Sequence, residues 1–309
     1  MMRVFDWRDV QLVRKLGECG LCLDSESGLT HGCHPLSDAL LAYLMPGSRP
    51  ATWIWRDHHQ GAFGQLRHRP HQEQARILYV APGLDDALAG GWMSLVEQLA
   101  AEAGRRGAHN LIAEVDEASR EFEALRAAGY AVYARQSVWK LARPVPGPAA
   151  EIGVRAAGPK DVVGISVLYT NIVPRLVQQV EPAPTDARGF VLEREGELIA
   201  FMDVRRGPAG IWIDPFLHPE AFELSDEVVQ AVLSCLHNPS GLPVYLCVRR
   251  YQDWLQEVLA QIGFELLGAQ AMLVKRLTAR VMEPLLKPLP VVDHQATRPV
   301  VRARLTRHD

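Results

Sequence analysis

Three stretches of this 309-residue sequence carry residues that could do chemistry. In "CVRRYQDWL", Arg249, Arg250, Tyr251, Gln252 and Trp254 follow an apolar strand-like run. Cations, an amide and aromatics at the C-terminal end of a strand suit a polar ligand. In "ILYVAPGLDDALAGGWMSLVEQLA", Ile77 to Ala100, a strand passes through a Pro-Gly turn into an amphipathic helix. Such a passage aims free N–H groups and a helix dipole at an anion. Asp85 and Asp86 stand where the anion would sit, followed by Gly90 and Gly91. In "ECGLCLDSESGLTHGCHP", Cys19, Cys22, His31, Cys33 and His34 could bind zinc. The second pair is Cys-His in direct sequence, a spacing that does not let both side chains meet one metal. Cys19 and Cys22 are therefore expected to pack as small apolar groups, and no metal is expected. His58, His59, His68 and His71 flank the ends of an expected hairpin, with no nucleophile beside them. The chain has no serine elbow, dinucleotide fingerprint or Walker loop.

The elements that position these residues repeat. "FEALRAAGYAVYARQSVWKL" and "WLQEVLAQIGFELLGAQAMLVKRL" each read as a helix ended by Gly plus an aromatic, Gly129-Tyr130 and Gly263-Phe264, then a strand. A glutamine follows each glycine at the same spacing, Gln136 and Gln270. Upstream of each copy the order recurs: a front strand and helix, strand-like runs, a helix, and a further strand, "NLIAEV" or "PVYLCV". A tandem repeat is the simplest account, with halves of ordinary domain size. The expected organisation is a first domain over 1–143, a Pro-rich linker over 144–150, a second domain over 151–277 and a basic, Pro-rich tail over 278–309. That tail is expected to be largely extended, draped through Leu285, Leu286 and Leu289.

Composition bounds the function. Hydrophobic content of 48% with 22% charged residues is that of a globular protein. A net charge of -3 gives no reason to expect nucleic acid or an anionic membrane as partner. No apolar run reaches the ~20 residues of a membrane helix, and the charged opening "MMRVFDWRDVQLVRKL" is not expected to be a secretory signal. Five cysteines, an odd and sparse number, suit the reduced thiols of a cytoplasm.

The order of elements in each half resembles the GNAT superfamily of N-acetyltransferases, most clearly in the strand-turn-helix at Ile77–Ala100 and the helix-Gly-aromatic-strand units at Gly129 and Gly263. The resemblance covers nearly the whole chain except the tail. It implies an α/β fold: two tandem GNAT-like domains, each a mixed sheet whose fourth and fifth strands splay apart to admit acetyl-coenzyme A. The implied cofactor contacts are Leu78, Val80, Gly90 and Gly91 in the first half, and Phe216 and Leu217 in the second. Asp214 and Tyr251 are the implied acid–base pair, while Arg249, Arg250, Gln252 and Trp254 are expected at the acceptor. For Asp214, and for Tyr79 on the matching first-half strand, a hydrogen-bonded strand residue is the competing reading.

The family pattern is broken in both copies. The phosphate loop lacks its basic or amide residue and its earlier glycines in "PGLDDALAGGW". "HPEAFELSDEVVQ" has no glycine or arginine and carries Glu220, Glu223, Asp226 and Glu227. Carboxylates at these helix starts are expected to self-cap: Asp85 or Asp86 in the first half, Ser225, Asp226 and Glu227 in the second. The family's frequent proton-donating tyrosine falls on Leu125 and Leu259. Two functions follow as expectations. One is an acyl-coenzyme A-dependent N-acetyltransferase working in the second half on a small-molecule or peptide amine. The other is a non-catalytic GNAT-like protein that binds a ligand or partner. A metal-responsive protein built on the N-terminal cysteines is a third reading. A homodimer stays open.

Overall fold

A computed structural model of the chain describes residues 2–45, 50–57, 60–69, 72–84, 89–143 and 152–277. The linker 144–150 and the tail 278–309 lie outside the described residues, as do Asp85, Asp86, His58, His59 and His71.

The first half runs β1 (Met2–Val4), α1 (Val10–Leu16), β2 (Leu21–Cys22), α2 (Ser25–His31), α3 (Pro35–Leu44), β3 (Ala51–Asp57), β4 (Gln60–His68), β5 (Gln74–Ala81), α4 (Ala89–Arg105), β6 (Asn110–Val115), α5 (Arg120–Ala127) and β7 (Ala131–Leu141). The second runs β8 (Arg155–Ala156), α6 (Val162–Ile172), α7 (Arg175–Gln178), β9 (Gly189–Arg194), β10 (Glu197–Arg206), β11 (Ile211–Leu217), α8 (Ser225–Cys235), β12 (Val244–Arg249), α9 (Leu255–Ile262) and β13 (Glu265–Arg276).

Local chemistry sets the helix ends. Asp24 caps α2 by accepting from the Ser27 N–H at 2.9 Å, and Ser119 caps α5 by accepting from the Phe122 N–H at 3.2 Å. Gly129 (φ 86°) and Gly263 (φ 102°) both adopt the left-handed region. That turn lets the Tyr130 N–H reach Leu125 O at 3.0 Å and the Phe264 N–H reach Leu259 O at 2.9 Å. The expected cap of α8 is corrected. Its N-cap is Leu224, without a side-chain bond, and the Ser225 hydroxyl donates to Phe222 O instead. Asp226 and Glu227 still occupy the first turn, where they favour the dipole.

The described strands form one sheet in the order β1-β3-β4-β5-β6-β13-β7-β12-β11-β10-β9-β8, with β2 paired to β5. The order shows an exchange. The last strand of the first half, β7, pairs with β12, and the last strand of the second half, β13, pairs with β6. The two exchanged strands pair with each other antiparallel, and Gln136 stands opposite Gln270. The glutamines that echo in sequence thus meet at the pseudo-twofold centre, where Gln136 Nε2 donates to Gln270 Oε1 at 3.2 Å.

Helices cover both faces. Trp92, Leu95 and Leu99 of α4 pack with Trp53, Leu66 and Ile77, while Val228, Val229 and Val232 of α8 pack with Ile213 and Leu246. On the opposite face, Val13 and Ala39 cover Ile54 and Phe63, and Ile165 and Leu168 of α6 cover Val191 and Phe201. Leu125 and Leu259 are fully buried in these cores.

Candidate functional site

In each half two parallel strands part, and in each the parting is filled by the chain itself. β5 and β6 pair only over Gln74–Arg76 and Asn110–Ile112. Beyond that point the facing backbones would hold unpaired N–H and C=O groups. The segment between α1 and α2 enters here. Leu21 and Cys22 pair with Val80 and Tyr79. Leu23 donates its N–H to Leu78 O and accepts from the Glu114 N–H, both at 2.9 Å, so one residue bridges β5 and β6. Gly83 N–H closes the end on Cys19 O at 2.8 Å. Opposite, a register shift against β4 leaves Leu78 as the extra residue of a bulge, which bends β5 away from β6. Tyr79 turns its hydroxyl to Gly17 O at 2.8 Å, and Gly20 is the residue that passes the Tyr79 ring, since any Cβ there would collide with it.

The second parting is filled by one side chain. β11 and β12 pair over Ile211–Ile213 and Val244–Leu246, then diverge. Gln252, almost fully buried, lies in the turn after β12. With its amide oriented to satisfy both partners, Nε2 donates to Pro215 O at 2.8 Å and Oε1 accepts from the Leu217 N–H at 3.0 Å. A primary amide thereby takes one acceptor and one donor on the open edge of β11.

Between the partings, on the α2 and α6 side of the sheet, lies a cavity of about 340 Å³. Its centre is Glu181, in the loop after α7. The Glu181 carboxylate takes Arg76 and Arg249 at 2.9 Å each and the Tyr133 hydroxyl at 2.7 Å, while Tyr169 donates to its backbone carbonyl at 2.6 Å. Burial pushes the Glu181 carboxyl up, yet the two guanidiniums hold it below the usual range. Glu114 on β6 meets Arg76 at 2.9 Å and accepts from the Ser25 N–H at 2.9 Å and from Gln136 Nε2 at 3.2 Å. Burial, with Asp24 nearby, raises its pKa.

The other end of the cavity is acidic. Glu26 from α2, Asp203 from β10 and Asp214 from β11 share Arg205, at 2.6, 2.7 and 3.0 Å. Burial raises the Asp203 carboxyl to about 6, with Arg205 opposing and Asp214 adding to the rise.

The structure separates the residues expected from sequence. Asp214, Phe216, Arg249 and Tyr251 line the cavity. Arg250 is exposed and is not among the lining residues, and Trp254 packs at a tilt against Phe222 with ring centroids 4.8 Å apart. Gln252 turns its amide to the edge of β11. Leu78, Val80 and Leu217 have their gap-side backbone groups taken by Leu23, Leu21 and Gln252. Gly90 and Gly91 lie in the first turn of α4, where a Cβ on Gly91 would come within 2.5 Å of the Trp55 ring, so packing accounts for that glycine. His68 bonds Gln72 O at 2.8 Å. Among the described residues no group of three or more His, Cys, Asp or Glu is arranged to hold a metal, and no helix is long and apolar enough to cross a membrane.

Sequence reasoning missed Arg76, Glu114, Glu181, Asp203 and Arg205. Four of them had a signal: a charge inside an otherwise apolar strand, as in "QARILYV", "NLIAEV" and "FMDVRR". Glu181, alone before a proline in a loop, had none.

Neither a family model nor a curated protein matches the sequence. Solved structures do. A GCN5-related N-acetyltransferase from Sphaerobacter thermophilus superposes with a TM-score of 0.59 at 12% identity, covering 89% of this chain and 95% of that one. A tandem GNAT protein from the clavulanic acid biosynthesis pathway, solved without AcCoA, gives 0.53 at 15% identity over 89% and 98%. At these identities the likeness is one of fold, and the fold is that of tandem GNAT proteins.

Proposed function

We propose that this is a ligand-binding protein on a tandem GNAT fold, whose working site is the charged cavity between the partings and which does not hold coenzyme A in either of them. One observation carries the reading: both partings, where the fold would admit the cofactor, are filled by the chain's own hydrogen-bonding groups, Leu23 in the first and Gln252 in the second. A ligand entering there must displace bonds of the same kind as it makes, so little net gain remains. Calorimetric titration of the full chain with acetyl-coenzyme A is expected to give no heat up to millimolar ligand. Micromolar binding would overturn the reading.

A second reading has its own support. The second parting is closed by a side chain rather than a strand, and a side chain can swing away. An N-acyltransferase working there would use Asp214 as base towards a small-molecule or peptide amine. Tyr251, whose phenol burial holds well above its usual pKa, would be the proton donor. Release of free thiol from acetyl-coenzyme A, dependent on an added amine and lost in Asp214→Asn, is the result that would favour it.

A further inference from the structure

We propose that the cavity takes a small zwitterion, a molecule bearing one carboxylate and one amine. The proposal rests on the cavity being the working site. It follows from what each end of the cavity lacks.

At the acidic end, Glu26, Asp203 and Asp214 surround the single guanidinium of Arg205. Three carboxylates against one cation in a half-buried wall repel one another, and Asp214 and Glu26 add to the rise that burial imposes on the Asp203 carboxyl. A cation placed there relieves the repulsion. The groups facing Asp203 are Arg205 on its own strand, Asp214 on β11 and Glu26 on α2.

At the other end, Arg249 gives Nη2 to Glu181, and its Nη1 is buried with no acceptor among the described residues. A guanidinium donor without an acceptor costs more than an exposed one, and a carboxylate is the acceptor that suits its fork. Arg249 also feels the Asp214 carboxylate, so the two ends are within electrostatic reach of each other. Phe216 and Tyr169, with ring centroids 5.6 Å apart, line the wall together with Tyr251 and suit methylene groups or an aromatic body. The volume of about 340 Å³ is at the small end of ligand sites and fits an amino-acid-sized molecule. A simple anion would leave the acidic end unbalanced, and a simple amine would leave Arg249 Nη1 unpartnered.

The test is a panel of defined probes against the full chain, followed by calorimetry and thermal shift at pH 7.5. The panel holds the common α-amino acids, and ω-amino acids of increasing length from glycine to 6-aminohexanoate. Butylamine and butyrate serve as singly charged controls. One length or side-chain class is expected to bind at least roughly tenfold tighter than either control, the size of one charge-assisted hydrogen bond. Asp214→Asn and Arg249→Gln are each expected to cut that affinity by a similar factor. Arg249→Gln also strips Glu181 of a partner, so Asp214→Asn keeps the test meaningful if that variant folds poorly. Equal binding of butylamine or butyrate overturns the zwitterion while leaving the cavity as the site. Silence across the whole panel overturns the zwitterion as well. Acetyl-coenzyme A binding in a parallel titration overturns the cavity reading itself.

Discussion

Glu181 holds together groups from opposite ends of the sequence. It ties Arg76 and Tyr133 of the first half to Arg249 of the second, and both arginines are largely buried. Removing the carboxylate from this knot strands Arg249, while Arg76 keeps Glu114 at 2.9 Å, and breaking a buried pair in this way costs about 3 kcal/mol. Glu181→Ala is expected to lower unfolding free energy by that amount in urea, while loss of under about 1 kcal/mol would mean the arginines find other partners. Asp203 behaves in the opposite sense. Its carboxyl is raised from 3.8 to about 6, so the folded state binds a proton more tightly than the unfolded chain. Stability is therefore unaffected below pH 3.8, falls as pH rises towards 6, and carries a constant deficit above it, roughly 3 kcal/mol at most. Asp203→Asn keeps an acceptor for Arg205 without the charge. The variant should gain on the parent between pH 4 and pH 7 in melting temperature, and a difference that does not vary with pH would show that the carboxyl titrates normally.

The short strand β2 and the turn holding Gln252 decide whether the partings are open. Because Leu23 donates to Leu78 O and accepts from the Glu114 N–H, the Leu23 and Glu114 amides should exchange with solvent as slowly as the core of β5. Loop-like exchange at both would mean that the wedge opens and that the first parting is accessible. Gln252→Ala uncovers the Pro215 carbonyl and the Leu217 N–H at a cost of about 1–3 kcal/mol, and on the proposed reading it should give the chain a measurable affinity for coenzyme A that the parent is expected to lack. A variant that loses stability but gains no such affinity would show that the gap is shut by more than the amide. These elements were unevenly legible. Gly129 and Gly263 were readable because a helix that turns through a left-handed residue favours glycine, and the repeated spacing to Gln136 and Gln270 marked the strands that meet. The wedge was not. Leu21–Leu23 sits among cysteines and polar residues, and two paired residues are too few to show a strand's alternation. The cluster "CVRRYQDWL" was found, but a pattern of residue types does not say that Gln252 turns inward while Arg250 faces out.

At the scale of the whole molecule the exchange of last strands matters most. Sequence repeats divide the chain into two halves of domain size, yet β7 lies between β13 and β12, and β13 lies between β6 and β7. Repeat patterns specify which residues form strands, while the partner of an end strand is set by contacts far away in sequence, so the exchange could not be read in advance. Its consequence is energetic. Trp139 of β7 packs in the second-half core, and Ala271 and Leu273 of β13 pack in the first-half core. Neither core is complete without a strand from the other half. Destabilising one should therefore be felt by both. Leu99, fully buried on the inner face of α4, is the place to apply the perturbation, since Leu→Ala at such a site costs about 2–5 kcal/mol. If the halves are coupled, Leu99→Ala lowers the denaturation midpoint of the second half as far as that of the first. Exchange of the α8 amides around Val229 and Val232, buried in the second-half core, reports the former. Two separate transitions, with the α8 amides keeping their parent protection, would mean that each half holds its fold against an open partner and that the shared strands carry little of the stability.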